Sequence, residues 1–566
     1  MTIMSGAQCL AEMLEGYGAT HLFMVPAVLR RTMAELERRT HIKSVHTHGE
    51  KSAAYMADGY ARVSRRPGIC MAQEVGVLNL AAGLRDASLA HSPVIALTGG
   101  RWSKHRYRRM YQDAEDLSAL APYTKMNVAV DDVARIPDLL RQAYRVATTG
   151  CPGPVHLQFA GQEGELDREE GDLDTLCEPQ FRQVPAFRSP PAQDVIANAW
   201  HACTSARRPV IVAGGGVHAS DAGAALRDFV ERAQIPVVTT LNGRDTVPDS
   251  HPLCMGTVGT YSRPSANQIV SQADLVIFVG TEAGSMTTNF WRLPMPGVRV
   301  IQIDNNPEAI GRNYPPILGI LADARPALEL LTSAIQGAKS LHQREWLDYA
   351  SRIKHESLEE TRIARESDAM PIRPERICGE LSALLPEDSV VVVDTGHAGM
   401  WMAGYFDLTS PHQSYLRSAG HLGWAFPAGI GAKAACPDRP VVTFTGDLGM
   451  WYHIAEIETA VRANIPVVTI VNNNRSGNQS KRGFDLAYGG QATEKSRDLW
   501  VHTEVNFARI AHEMGAFGIR AETPAEVRPA IEKALLSGQP AVVDVVTDIN
   551  AFAPLAWDAE AWAQKY

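Results

Sequence analysis

The sequence predicts an α/β protein made of three doubly wound parallel-sheet domains, and three observations carry that reading. One short phrase recurs: proline, then two or more valine- or isoleucine-rich apolar residues, then small or polar residues. Helix-prone stretches separate these runs. Two charged or proline-bearing stretches interrupt the alternation and cut the 566 residues into three parts of ordinary domain size.

The phrase stands at Pro93-Val94-Ile95, Pro209-Val210-Ile211-Val212, Pro236-Val237-Val238, Pro440-Val441-Val442, Pro466-Val467-Val468 and Pro540-Ala541-Val542-Val543. Such short, nearly continuous apolar runs fit strands buried on both faces of a parallel sheet. Between them the pattern is helical, for example over Ala224 to Arg232 and Glu456 to Arg462. The first interruption, 164–193, is acidic and then carries Pro179, Pro185, Pro190 and Pro191, which reads as a linker. The second, 340–374, is charged and helix-prone up to Arg365, then turns at Pro371 and Pro374. The expected domains are therefore 1–165, 190–338 and 370–550, with a tail over 551–566 that carries Trp557 and Trp562.

Composition excludes several classes. Hydrophobic residues make up 45% and charged residues 21%, enough apolar material for several cores and unlike a disordered or collagen-like chain. The net charge of −9 argues against a general nucleic-acid binder. No stretch offers 18 uninterrupted apolar residues and the N-terminus has no signal-peptide pattern, so a cytoplasmic protein without a membrane span is expected. The eight cysteines show no C-x-x-C spacing, which suggests neither a disulfide framework nor a zinc site.

The sharpest chemical signal is Gly446-Asp447-Leu448-Gly449 at the end of one apolar run and Asn472-Asn473-Asn474-Arg475-Ser476-Gly477 at the end of the next. Asp447 and Asn474 are separated by about one helix plus one strand, so a right-handed β-α-β crossover brings both to the carboxyl edge of neighbouring strands. Asp447, Asn474 and the carbonyl of Ser476 are hard oxygen donors of the kind magnesium takes alongside water and phosphate. The same residues also fit a plain strand-to-helix turn with Asp447 as an N-cap.

These motifs resemble those of the thiamine-diphosphate-dependent enzymes of the acetolactate synthase, benzoylformate decarboxylase and pyruvate oxidase type, whose Gly-Asp-Gly…Asn-Asn motif binds magnesium and diphosphate. The resemblance runs over nearly the whole chain. It implies that Asp447, Asn474 and Ser476 are the metal ligands, with Gly446, Leu448 and Gly449 around the diphosphate. His48-Gly49-Glu50 and the following Ala53-Ala54 to Ala61 resemble the family's Glu-x-x-Ala segment. There the glutamate shares a proton with the aminopyrimidine ring, so that the ring's exocyclic nitrogen can deprotonate the thiazolium carbon. Ser418-Ala419-Gly420-His421-Leu422-Gly423 resembles the stretch whose apolar side chain, here Leu422, bends the cofactor. Asp394-Thr395-Gly396-His397 resembles the diphosphate-contacting loop, Glu74 to Asn79 the Gly-Pro-Gly-x-x-Asn loop, and Tyr111-Gln112-Asp113 the Phe-Gln-Glu stretch that puts Gln112 on the substrate side. Catalytic roles thus fall to Glu50 and Gln112. Cofactor contacts fall to Glu50, Asn79, Gly396, His397, Gly420, Leu422, Gly446, Asp447, Leu448, Gly449, Asn474 and Ser476.

The resemblance implies decarboxylation or carboligation of a 2-oxo acid with thiamine diphosphate and magnesium, in a homodimer or homotetramer. The chain departs from the family at Leu448, at Val28 in the Pro-Gly-Gly turn, and at Glu74. These departures, and the basic run Arg101 to Arg109, keep open an acyl-CoA substrate (an oxalyl-CoA decarboxylase or 2-hydroxyacyl-CoA lyase), a flavin-dependent oxidase and a non-catalytic, cofactor-binding subunit. The turn Gly214-Gly215-Gly216 and the strand end Ile303-Asp304 give the middle domain the look of a nucleotide fold. FAD, ADP or CoA is therefore possible there without being predicted.

Overall fold

The computed structural model of the chain describes residues 2–112, 116–335, 341–491 and 493–554, so Asp113 and most of the expected tail lie outside the described residues. Among the described residues there are twenty strands: β1 Thr2–Ser5, β2 His21–Met24, β3 Lys43–His46, β4 Gly68–Ala72, β5 Val94–Gly99, β6 Met126–Val130, β7 Val155–Phe159, β8 Glu170–Leu173, β9 Pro209–Ala213 and β10 Val237–Thr239. They continue as β11 Cys254–Thr257, β12 Leu275–Val279, β13 Arg299–Asp304, β14 Leu318–Leu321, β15 Val390–Val393, β16 Ser414–Arg417, β17 Val441–Gly446, β18 Val468–Asn473, β19 Phe517–Ala521 and β20 Ala541–Val546.

Three six-stranded sheets result, each wholly parallel and flanked by helices. The first runs β3-β2-β4-β5-β7-β6 and the third runs β16-β15-β17-β18-β20-β19, so both follow one topology. The middle sheet, β11-β10-β9-β12-β13-β14, has the strand order of a dinucleotide-binding fold. In such sheets ligands sit beyond the strand carboxyl ends where the winding direction reverses. That switch point lies between β2 and β4 in the first sheet and between β15 and β17 in the third. The apolar runs explain the sheets: β4, β5, β9, β12 and β15 are buried at every position.

The acidic stretch after residue 164 is not all linker. Glu170–Leu173 pairs antiparallel with Thr2–Ser5, because these short strands satisfy each other's backbone groups away from the main sheet. The helix-prone stretch before Arg365 is a helix, Leu341–Arg365, docked on the middle domain by Trp346, whose indole N–H donates to the Pro209 carbonyl at 2.9 Å.

Helix Glu50–Ser64 of the first domain and helix Ala425–Ala435 of the third form the main contact between these domains. They meet backbone to backbone, and glycine makes that possible. A Cβ on Gly59 would stand 2.0 Å from the Ala428 carbonyl oxygen, and one on Gly431 would stand 1.8 Å from that of Met56. Trp424 and Arg62 lock the seam: the indole donates to Asp58 at 2.9 Å, and Arg62 pairs with Asp58 while lying over the Trp424 ring.

Gly59→Val is expected to cost about 1–3 kcal/mol of overpacking and lower Tm by roughly 2–6 °C. Gly483→Ala, in a helix with open space around the glycine, should leave Tm unchanged or slightly higher. An unchanged Tm for Gly59→Val in thermal unfolding would mean that the helices do not touch as described.

Candidate active site

Three loops converge at the carboxyl edge of the third sheet, and the switch point explains why. β15 ends in Asp394-Thr395-Gly396, with φ of +72° at Gly396, and leads into helix His397–Tyr405. β17 ends in Gly446 and leads into the short helix Asp447–Trp451. β18 ends in Asn473, followed by Asn474 and by Arg475 at φ +58°. That left-handed residue turns the chain back towards Asp447. The turn is pinned from outside, since Gly477 N–H donates to the Trp500 carbonyl at 2.7 Å and His502 N–H to that of Arg475 at 2.7 Å.

Asp447, Asn474 and Ser476 come together. Ser476 N–H donates to Asp447 Oδ2 at 2.9 Å and to Asn474 Oδ1 at 3.1 Å, and the Ser476 hydroxyl donates to Asn474 Oδ1 at 2.9 Å. All three residues are buried. Burial pushes the Asp447 carboxyl up to about 7, against the lowering effect of the Leu448, Ser476 and Arg475 N–H groups. An acid so placed gains from a cation beside it. The converging oxygens suit a hard divalent ion, and a Cβ on Gly446, next to Asp447, would meet nothing within 4 Å, which leaves room beside them. The residues therefore fit a magnesium diphosphate.

Leucine at 448 is compatible with this arrangement. Its backbone is not in the left-handed region, and its N–H donates to Asp447 Oδ1 at 2.7 Å. The crowded position is the next one: a Cβ on Gly449 would stand 2.4 Å from Thr445 Oγ1 and 2.7 Å from Asp394 Oδ2. Leu422 is half-buried and belongs to none of the apolar clusters of the third domain. It lies between Gly420 and Gly423, at φ +159° and +85°.

Two carboxylates hold these loops: Asp394, whose segment the sequence matched without giving its side chain a role, and Asp86, which it did not single out. Asp394 accepts from Thr395 N–H at 2.8 Å, from Gly423 N–H at 3.0 Å and from the Thr445 hydroxyl at 2.8 Å. Asp86 of the first domain accepts from Ala419 N–H at 2.7 Å, His421 N–H at 3.1 Å and the Ser418 hydroxyl at 3.2 Å. A signal existed for Asp394, an acid directly after a four-valine strand; Asp86 sits beside Arg85 in a mixed helix and gave none.

The first domain presents the second half. Glu50 opens helix Glu50–Ser64, and Asn79 Nδ2 donates to its Oε2 at 3.1 Å. Gly76 is needed beside it, since a Cβ there would stand 2.4 Å from Glu50 Oε1. Glu50 is only half-buried, in a cleft of about 420 Å³ that it shares with Lys51, Leu78, Trp451 and Tyr452. Gln112 sits in a turn at φ +64°, where Gln73 Nε2 donates to its side-chain oxygen at 2.8 Å. That bond ties Gln112 to the loop after β4. Val28 is fully buried in the first-domain core, and Glu74 is buried at the start of the loop. His48 pairs with Glu458 at 2.8 Å. Among the described residues, no hydrogen bond joins Glu50 to Asp447, Asn474 or Ser476 within one chain.

Paired parallel sheets of one topology, with a buried oxygen cluster at the carboxyl edge of one and a helix-opening glutamate at that of the other, are the architecture of a cofactor-dependent enzyme. The chain belongs to the thiamine pyrophosphate enzyme family, matching its N-terminal TPP binding domain over residues 4–120, its central domain over 196–331 and its C-terminal TPP binding domain over 394–545. It is 32% identical to a probable acetolactate synthase large subunit of Methanocaldococcus jannaschii, over 96% of this chain and 92% of that protein. It is 31% identical to the acetolactate synthase large subunit of Corynebacterium glutamicum (97% and 87%) and 30% identical to the glyoxylate carboligase of Escherichia coli O157:H7 (97% and 94%). The chain is thus a thiamine-diphosphate-dependent enzyme of the acetolactate synthase and carboligase type. Among the described residues no helix is long and apolar enough to cross a membrane.

Asp394 offers a pH test. Its carboxyl is pushed by burial from the ordinary 3.8 to about 7, against the Thr445, Thr395 and Gly423 donors. At pH values below the ordinary 3.8, folded and unfolded chains both hold the proton. As pH rises to about 7 the unfolded chain ionises first, so this group's contribution to stability falls, and it stays flat above. The Tm of wild type minus that of Asp394→Asn should therefore shrink between pH 4 and 7. A difference that grows with pH would contradict the burial effect.

Proposed function

We propose that this enzyme breaks or forms a C–C bond next to the carbonyl of a 2-oxo acid, as a thiamine-diphosphate- and magnesium-dependent decarboxylase or carboligase. The observation that carries the reading is the buried cluster of Asp447, Asn474 and Ser476, three oxygen donors gathered by the Ser476 N–H at the carboxyl edge of adjacent strands. Bound thiamine diphosphate supplies an electron sink in its thiazolium ring for the C–C step. In this reading Asp447, Asn474 and the Ser476 carbonyl hold magnesium, while Gly396, His397, Gly446, Leu448 and Gly449 surround the diphosphate. Leu422, half-buried in the loop between Gly420 and Gly423, would pack against the bound cofactor.

Glu50 holds a proton at the aminopyrimidine nitrogen, and Asn79 fixes the carboxyl's orientation. Gln112, tied to Gln73, faces the substrate. A small 2-oxo acid fits the name of the glyoxylate carboligase relative. Glu50 looks out on an open cleft bordered by exposed Leu78, Trp451 and Tyr452. An apolar rim of this kind favours a second copy of the chain as its cover. The reading therefore pairs Glu50 of one copy with the metal cluster of another, in a homodimer or a dimer of dimers.

Calorimetric titration of metal-stripped protein tests the assignment. Thiamine diphosphate should bind only with magnesium present, and Asp447→Ala should lose that binding at least about 100-fold. Glu50→Gln should keep cofactor affinity within about tenfold yet lose at least about 100-fold in carbon dioxide release from 2-oxo acids. Magnesium-independent binding, or full turnover by Glu50→Gln, would overturn the corresponding role.

A further inference from the structure

Helix His397–Tyr405 begins in the Gly396 loop of the third domain, yet groups of the middle domain hold both of its ends. The last turn of a helix leaves carbonyl oxygens without donors of its own. Here the donors come from Arg244 and Arg263. Arg244, in the 3₁₀ turn Leu241–Thr246, is fully buried and donates to the Met402 carbonyl at 2.6 Å and to that of Phe406. Arg263 donates to the same Phe406 carbonyl at 2.6 Å and pairs with Asp407 at 2.6 Å. Asp249 completes the grip: its N–H donates to the Leu408 carbonyl at 2.8 Å, and its carboxylate accepts from the Leu408 N–H at 2.9 Å while pairing with Arg244 at 3.3 Å and Arg263 at 3.4 Å. Arg365 adds a third guanidinium, on Asp407. Three guanidiniums thus meet two carboxylates, and the surplus positive charge faces the negative end of the helix dipole.

At the other end the middle domain presents Tyr261, from the loop between β11 and helix Pro264–Gln272. A Cβ on Gly399 would stand 3.3 Å from its ring, so the ring lies against the first turn of helix His397–Tyr405. The phenol oxygen accepts from Gln479 Nε2 at 3.5 Å, and a Cβ on Gly396 would stand 2.8 Å from Gln479 Oε1. Gln479 lies in the first turn of helix Asn478–Ala487, directly after the Ser476-Gly477 turn. Tyr261 therefore touches both the helix that leaves the Gly396 loop and the helix that leaves the Ser476 turn.

We propose that Tyr261 and Arg244 of the middle domain are positioning residues for thiamine diphosphate. The proposal rests on the thiamine reading given above, in which Gly396 and His397 lie at the diphosphate. A helix of nine residues is about 13 Å long and stiff, so anchoring its C-terminal carbonyls and bracing its first turn fixes where its N-terminal N–H groups point. Loss of either hold lets the helix shift along its axis and carries the Gly396 loop with it. The middle domain supplies none of the cofactor contacts assigned above, yet through this helix it sets cofactor affinity.

The test combines calorimetric titration of the full-length, metal-stripped protein with thiamine diphosphate plus magnesium and thermal unfolding of the same samples. Tyr261→Ala should raise the cofactor Kd at least about tenfold while Tm falls by no more than about 3 °C, and Tyr261→Phe, which keeps the ring, should restore Kd to within about threefold of wild type. Arg244→Met should also raise Kd at least about tenfold; if that variant does not fold, Tyr261→Ala decides alone. Leu328→Ala, in the apolar core of the middle domain, should lower Tm by several degrees yet leave Kd within about twofold, which separates positioning from general loosening. Wild-type affinity in Tyr261→Ala or in folded Arg244→Met, or a loss of affinity in Leu328→Ala as large as theirs, would overturn the proposal and leave the thiamine reading standing. A wild-type protein that does not bind the cofactor would overturn that reading and the positioning role with it.

Discussion

The site depends on one buried carboxylate. Asp394 sits where β15 stops, and its two oxygens reach the turn that begins the Gly396 loop, the Gly423 N–H that closes the Leu422 loop, and the Thr445 hydroxyl on the strand that delivers Asp447. Three chain segments remote in sequence are thereby fixed relative to one another by short bonds to a single group. Gly449 follows from the same constraint, because any side chain there would collide with that carboxylate. An acid buried this deeply is costly unless each oxygen is satisfied, and here the donors come from the loops that need positioning.

A second layer of constraint ties this edge to the first domain. The Gly59 and Gly431 contacts bring two helices close enough for Asp86 to reach across and cap the Ser418–His421 backbone. The Leu422 loop is thus held from both domains, by Asp394 below and Asp86 beside it. Glu50 opens the same helix that carries Gly59. A change in helix packing therefore moves a catalytic carboxyl and a cofactor-shaping loop together.

Much of this was legible in the residues. The valine-rich runs mark strands buried on both faces, and the spacing of Asp447 and Asn474 points to neighbouring strands, because hydrophobic burial and crossover length are local properties. The helix before Arg365 was legible for the same reason. Strand Glu170–Leu173 was not, since its polar sequence pairs only because Thr2–Ser5 lies alongside. Asp394 and Asp86 were missed as holding groups because their partners lie 29 to 51 and 332 to 335 residues away. The tolerance for Leu448 was likewise hidden: only backbone geometry reveals that the crowded position is 449.

Hydrogen–deuterium exchange on Asp394→Asn measures the central coupling most directly. Exchange should speed up together in the segments around 419–424 and 445–449, while the interior of β15, β17 and β18 stays protected as in wild type. Unchanged exchange in the 419–424 segment would contradict the role of Asp394 as the group that holds the cofactor loops in register.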